Sequence, residues 1–298
     1  MPSSFSKMKH ISKQVAWVVM ALLAAEGAAR LGGVIDFPLF DVSYPDVGYV
    51  PRPSQSGAFM GKDWVFNERS MGVAEPFHPS QAVDVALIGN SIVMGGNPFS
   101  QAQRVGPLVQ SKLHDYKVWP IAAGGWSLPN QLAYLHHNPD VLPSSDVVVW
   151  EYMTGGASLT SKWRGEYVFP TQRPWCATCY VFVRYVLPHI FPYHPDELPP
   201  VGPPTESTLR DWDQMLTTIR PDAKKVLLLY PTKVDLRKGS NWLPERERVE
   251  ALAKKHGFKI IDLSRQPDWD VSYYKPDQVH PLPSGNVALS RIIASAIQ

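Results

Sequence analysis

From residue 83 onward the chain alternates short, almost wholly apolar runs with longer stretches that are apolar on one side of a 3.6-residue period. Val83-Asp84-Val85-Ala86-Leu87-Ile88 is the first such run, and residues 117–122, 146–152, 225–230 and 258–263 repeat the pattern. Runs of this length rich in Val, Ile and Leu predict strands buried on both faces. Between them the spacing predicts helices near 101–114, 129–136, 207–219, 245–256 and 283–296. In the first of these, Leu108 and Leu113 fall on the apolar side and Gln103, Gln110 and Lys112 are polar positions. Pro129 sits where an early helical proline is tolerated, and Gly257 suits the left-handed position after a helix. Five strands alternating with helices predict an α/β fold, a three-layer sandwich around a five-stranded parallel sheet.

Two stretches lack this rhythm. Residues 36–82 are rich in Pro, Gly, Ser and aromatics, and read as an extended lead-in with a short strand near Trp64-Val65-Phe66. Residues 155–205 have no clean period and hold much of the excess among the chain's 29 prolines. A loop this long inside a compact domain is usually a lid, a binding loop or an insertion. The predicted organisation is therefore an N-terminal segment 1–35, a lead-in 36–82, and a domain 83–298 carrying an irregular insertion at 155–205.

The N-terminal segment reads as an address. Lys7, Lys9 and Lys13 precede an uninterrupted apolar run of 11 residues, Val15 to Ala25, followed by Glu26 and Arg30. A basic flank before an apolar segment keeps the N-terminus in the cytoplasm and exports the rest of the chain. The run alone suits a signal peptide, and the Ala-rich surroundings of Glu26 could be cleaved. Continued through Ile35 with Glu26 tolerated, it is long enough for a span. An uncleaved signal-anchor is the favoured reading: a single-pass membrane protein whose main domain lies in the periplasm or outside the cell.

Composition narrows the function. Lys and Arg total 29 against 27 Asp and Glu, a net charge of +2, and no basic stripe with interleaved aromatics is present. That balance excludes an electrostatic case for nucleic acid. Export would put Cys176 and Cys179 in an oxidising space, where a short-loop disulfide is the plainest reading of their spacing. His136-His137 does not make a metal site, because adjacent side chains on a helix diverge by about 100°. No metal and no cofactor is called for.

Two short stretches carry the chemistry. Gly89-Asn90-Ser91 comes directly after the first predicted strand, so Ser91 is raised at the carboxyl edge of the sheet, where ligands bind in open α/β folds. Asp277-Gln278-Val279-His280 lies in a Pro-containing loop just before the last predicted helix. A serine hydroxyl is a poor nucleophile until a base removes its proton, and that base works best when a carboxylate orients it. Ser91, His280 and Asp277 supply the three parts.

With these residues in view, the chain resembles the SGNH/GDSL hydrolase superfamily over about 83–298, the insertion excepted. Gly89-Asn90-Ser91-Ile92-Val93-Met94-Gly95 is similar to its nucleophile block, with Asn where the family has Asp. Ile121-Ala122-Ala123-Gly124-Gly125-Trp126-Ser127 resembles the second block, and Asp277, His280 and Pro281 resemble the last. The resemblance implies a flavodoxin-like sheet, Ser91 as nucleophile, His280 as base and Asp277 as its orienting carboxylate. It also implies an oxyanion site made by the Ser91 and Gly125 backbone N–H groups. The family's oxyanion Asn after the third strand is missing; Met153-Thr154-Gly155-Gly156 stands there, so the Thr154 hydroxyl, a backbone N–H of Gly155 or Gly156, or the Asn90 amide is the expected substitute. Export, an anchor and an aromatic-rich insertion further resemble membrane-associated members that modify envelope polysaccharides. The implied activity is a serine esterase on O-acyl, chiefly acetyl, esters of cell-envelope or exopolysaccharide glycans, with Asn90 and Trp126 in the substrate site. The partners expected are the acylated carbohydrate or other ester and, through the N-terminal helix, the membrane. An O-acyltransferase, a small-ester lipase and a degenerate glycan-binding or assembly protein remain the alternatives.

Overall fold

Five short, largely apolar runs, buried on both faces in all but the edge strands, make one parallel sheet in the computed structural model. The structure describes all residues except 1–3, 80–81, 154–157, 191–201 and 239–242. The strands are β1 (Val83–Gly89), β2 (Tyr116–Ala122), β3 (Val147–Met153), β4 (Lys224–Tyr230) and β5 (Lys259–Asp262). Their spatial order is β2-β1-β3-β4-β5, every pair parallel. This is the flavodoxin-like doubly wound order, in agreement with the sequence reading. The chain leaves β1 to build β2 on one side and returns to build β3 on the other. In such sheets the crevice at the carboxyl end of the first strand is where ligands sit. Register brings Ile88 beside both Ile121 and Trp150, and Gly89 beside Ala122. The ends of β1 and β2 are thus level, and the Ser91 turn and the Gly124-Gly125 turn rise from one edge.

The principal helices are α1 (Ser4–Leu31), α2 (Ser91–Met94), α3 (Val105–Gln110), α4 (Leu128–His137), α5 (Glu206–Leu216), α6 (Leu243–Lys255) and α7 (Pro283–Ile297). The core between helices and sheet includes Leu87, Ile88, Val149, Trp150, Leu227 and Leu228, none of them accessible. Trp150 meets Trp212 of α5 edge to face, and its indole N–H donates to Gln131 Oε1 of α4 at 2.6 Å. A buried tryptophan needs such a partner for its polar atom.

Two sequence expectations are corrected. The helix expected over 101–114 is only α3, preceded by a 3-10 turn at Gln101–Gln103. Arg104 between them is extended, and the Gln110 side chain turns back to the Tyr116 carbonyl at 2.7 Å and the Val118 N–H at 2.8 Å. Those bonds tie the helix end to β2. The insertion is not wholly irregular either. A continuous helical run covers Ala177–Val181, Phe182–Val186 with π-type spacing, and Leu187–Ile190. Its start is stabilised from far away, since Glu26 of α1 accepts from the backbone N–H groups of Ala177 and Thr178, each at 2.9 Å. Helix N-termini leave N–H groups unpaired, and a carboxylate there is favourable. Local periodicity carries no trace of a cap 151 residues upstream.

In the lead-in, Gln55–Phe59 and Lys62–Phe66 form a hairpin, its turn made by Met60 and Gly61 at positive φ. Trp64 on that hairpin is buried and donates to the Asp36 carbonyl at 2.8 Å. A small second core of Ile35, Phe37, Leu39 and Ala177 joins the exit from α1 to the insertion. Cys176 and Cys179 form the short-loop disulfide expected from their spacing.

Candidate active site

Ser91 owes its position to Gly89 and Asn90. A Cβ on Gly89 would clash with Val93 and lie 2.9 Å from Glu151 Oε2, so only glycine lets β1 turn this tightly. Asn90 then caps α2: its Oδ1 accepts from the Ile92 N–H at 2.9 Å. Gly95, at φ 80, ends the single turn.

His280 arrives from the other end of the chain. The loop from Tyr274 to Pro281 is pinched by an antiparallel bridge between those two residues. The Lys275 N–H donates to the His280 carbonyl at 2.8 Å, and Tyr230 Oη at the end of β4 donates to the Val279 carbonyl at 2.8 Å. Gln278 takes a left-handed φ of 66, and its carbonyl accepts from the Lys233 N–H at 2.8 Å. These bonds bring the imidazole over the serine across 189 residues of chain: His280 Nε2 lies 2.9 Å from Ser91 Oγ. His280 Nδ1 lies 3.0 Å from Asp277 Oδ2. Asp277 Oδ1 accepts from the backbone N–H groups of Val279 and His280, both at 2.9 Å. Partial burial pushes the Asp277 carboxyl up. The His280 and Val279 N–H groups and the imidazole outweigh that and hold it below the usual range. An ionised Asp277 accepts from Nδ1–H, which leaves Nε2 free to accept the Ser91 hydroxyl proton. Side chains of both His280 and Asp277 remain more than a third exposed, so the site opens to solvent.

Gly125 stands on the neighbouring turn at φ 77. Tyr49 Oη donates to the Gly124 carbonyl at 2.6 Å, and Ser161 Oγ donates to the Gly125 carbonyl at 2.6 Å. In a trans peptide the carbonyl and the next N–H point in opposite directions. The Tyr49 bond therefore sets the direction of the Gly125 N–H. Neither that N–H nor the one of Ser91 has a partner among the described residues.

The remaining expected site residues stand differently. The Asn90 amide is buried and occupied, its Nδ2 donating to Glu151 Oε1 at 3.3 Å while Oδ1 caps α2. Trp126 is 3% exposed, its N–H donates to the Tyr49 carbonyl at 2.8 Å, and its ring packs against Tyr134. Its face is not open to a sugar; it holds the lead-in against the Gly125 turn. Thr154 lies outside the described residues. His136 and His137 diverge as expected, to Asp211 and Asp46 respectively, each at 2.8 Å.

Glu151 is the site residue that the reading by periodicity passed over. It is fully buried on β3 and accepts from the Asn90 N–H at 3.2 Å and from its side-chain amide at 3.3 Å. Burial, opposed only by those two bonds, pushes its carboxyl up to about 8. The signal was present as a single carboxylate inside the apolar run Val147-Val148-Val149-Trp150-Glu151-Tyr152. Tyr49 and Ser161, in contrast, had no sequence signal at all.

Fold and geometry together define a Ser-His-Asp constellation at the topological switch point of a flavodoxin-like sheet. Comparison with known proteins finds solved structures of similar architecture. An esterase, EstA from Pseudoalteromonas sp., is 10% identical over 72% of this chain and 96% of its own, with a TM-score of 0.45. A lipase/acylhydrolase from Enterococcus faecalis is 17% identical over 72% and 94%, with a TM-score of 0.44. A catalytic mutant of the acetylxylan esterase Axe2 from Geobacillus stearothermophilus is 14% identical over 74% and 96%, with a TM-score of 0.42. No protein-family model and no curated protein sequence matches the chain.

Proposed function

We propose that this protein is a serine ester hydrolase of SGNH type that acts on O-acyl esters, chiefly acetyl esters of envelope or extracellular glycans. The observation that carries the reading is the continuous relay from Ser91 Oγ to His280 Nε2 at 2.9 Å and from His280 Nδ1 to Asp277 at 3.0 Å. Ser91 Oγ attacks the ester carbonyl as His280 takes its proton, and the C–O bond to the alcohol breaks as His280 returns that proton to the leaving oxygen. Asp277 orients the imidazole and stabilises its protonated form. Water, deprotonated by His280, then releases the acid and restores Ser91. The Ser91 and Gly125 N–H groups stabilise the oxyanion in both halves. The restriction to acyl glycans comes from the likeness of anchor, insertion and motifs to envelope-modifying members of the superfamily.

In this reading α1 stays with the mature protein as a membrane anchor. Residues 13–31 form a helix long and apolar enough to cross a bilayer, and its large apolar side chains from Val15 to Leu23 are exposed. The last turns of the helix, in contrast, belong to the folded domain. Glu26 caps the insertion helix, and Ala29 and Val34 pack on the second core. Cleavage near Ala28 would remove that cap. The Cys176–Cys179 disulfide favours an exported domain.

A second reading, a glycan-binding or assembly protein with a weak site, is favoured by one observation. The third strand is not followed by the family's oxyanion Asn, and the Asn90 amide that could replace it is bonded to Glu151. Labelling by a fluorophosphonate probe decides between the two. The hydrolase reading expects wild type to be labelled, with the label lost in Ser91→Ala and His280→Ala. Wild type that takes no label and releases no acetate from acetylated xylan or nitrophenyl acetate overturns it. New ester on an added acceptor sugar would mark the enzyme as a transferase.

A further inference from the structure

We infer that the insertion helix, with Trp175 just ahead of it, is an interfacial element that rests on the bilayer surface beside the exit of α1. This inference rests on the anchor reading of α1. Its first support is the junction itself. Two backbone N–H groups at the start of the insertion helix are bonded to Glu26, and Arg30, one turn further along α1, donates to the Trp175 carbonyl. The end of the apolar helix and the start of the insertion helix are therefore one joined unit at one level. If α1 enters a bilayer, Trp175 stands where it comes out.

The second support is the chemistry of what the joined unit exposes. Trp175 is 88% exposed, and Phe182, Val186 and Ile190 repeat every four residues at 49%, 41% and 57%. Tyr185, at 46%, lies beside them. A water-soluble surface has no use for that much adjacent apolar area. A bilayer interface takes it well, because Trp and Tyr place their rings at headgroup level with apolar side chains beneath. Arg184 on the helix is accessible and fits an anionic lipid surface, whereas Arg30 is paired with Glu26 at 2.7 Å. The apolar run of α1 before Glu26 is short for a full span, so a second contact at the same surface adds to the attachment.

The consequence reaches the serine. A cleft of about 200 Å³ is lined by Met94 and Gly124, from the two turns that carry Ser91 and Gly125, and by Tyr180, Arg184 and Tyr185 of the insertion helix. An interfacial insertion helix brings this cleft close to the membrane surface and favours esters presented there.

The test uses the full chain in vesicles of phosphatidylcholine and phosphatidylglycerol. Both native cysteines are paired, so a single introduced thiol takes an environment-sensitive fluorophore cleanly. Ile190→Cys, Val186→Cys, Val19→Cys on α1 and Lys259→Cys on β5 are labelled in turn. The expected result is blue-shifted emission, quenched by lipids brominated in the upper acyl chain, at 190 and 186. Quenching by deep bromines is expected at 19, and none at 259. Quenching at 19 with none at 190 and 186 overturns the interfacial helix while the anchor stands. No quenching at 19 overturns the anchor, and the inference with it. A blue shift at 186 without lipid quenching means that protein covers the stripe, which also overturns it.

Discussion

Glu151 and Asn90 form a buried pair: the carboxyl group on β3 accepts both the backbone and the side-chain N–H of the residue just before the serine. The Ser91 turn is thereby fastened to the central strand beside it, not only to its own. The cost is a carboxyl with no access to water, and its titration should be visible in the stability of the whole domain.

The direction comes from linkage. An unfolded Glu ionises near its ordinary value of 4.5, whereas Glu151 in the folded chain holds its proton up to about 8. Between those values the unfolded state binds fewer protons, so the contribution of Glu151 is greatest below about 4.5 and is lost as pH rises through 8. Glu151→Gln keeps the shape of the protonated form and has no proton to lose. Denaturant unfolding across pH 5 to 9 should show wild type losing a few kcal/mol that the variant retains. Parallel slopes for the two proteins would show that Glu151 is not the source.

Removing the His280 or Ser91 side chain should leave the fold intact, because both residues are held mainly through their backbone. Ser91→Ala and His280→Ala should lose at least about 10³-fold in kcat on nitrophenyl acetate with unchanged far-UV circular dichroism. Asp277→Asn should lose roughly 10²–10⁴-fold, since the imidazole then loses both its orientation and its counter-charge. A variant at any of the three with near-wild-type kcat removes it from the chemistry.

Tyr49 should act on kcat without touching substrate. Its hydroxyl holds the Gly124 carbonyl at 2.6 Å and so directs the Gly125 N–H. Tyr49→Phe should cost about 1 kcal/mol of stability. The N–H, freed to tilt, should lower kcat more than it raises KM. Gly125→Ala is harsher, because φ 77 disfavours a side chain and its Cβ would meet Tyr49 Oη at 3.0 Å. A loss of about 1–2 kcal/mol is expected from the backbone alone. Equal effects of Tyr49→Phe on kcat and on 1/KM would argue against an oxyanion role.

Glu26 links the N-terminal helix to the insertion. Glu26→Ala leaves the Ala177 and Thr178 N–H groups uncapped, a loss typical of about 0.5–2 kcal/mol at a helix N-terminus. Hydrogen exchange in residues 177–181 should accelerate while β1 and β3 stay protected. Unchanged exchange there would mean that the disulfide and the second core hold the helix without Glu26.

Local pattern was enough to read the sheet and to single out Ser91, Asp277 and His280, which the fold brings together. Each central strand is a short run buried on both faces, a property of composition that survives without knowledge of its neighbours. Ser91, Asp277 and His280 were legible for a related reason. Each sits at a boundary between elements, after β1 or before α7, and a doubly wound sheet gathers such boundaries along one edge. Other contacts needed the folded chain, because their partners share neither element nor period. Glu151 fastens Asn90 across two adjacent strands, Tyr49 reaches from the lead-in to the Gly124 carbonyl, and Glu26 caps a helix 151 residues away. Folding also turned Trp126 and Asn90, placed by motif next to the serine, inward to packing and capping. Periodicity reports which face of an element is buried, but hydrogen bonds between distant segments leave no period, and they set this site's shape.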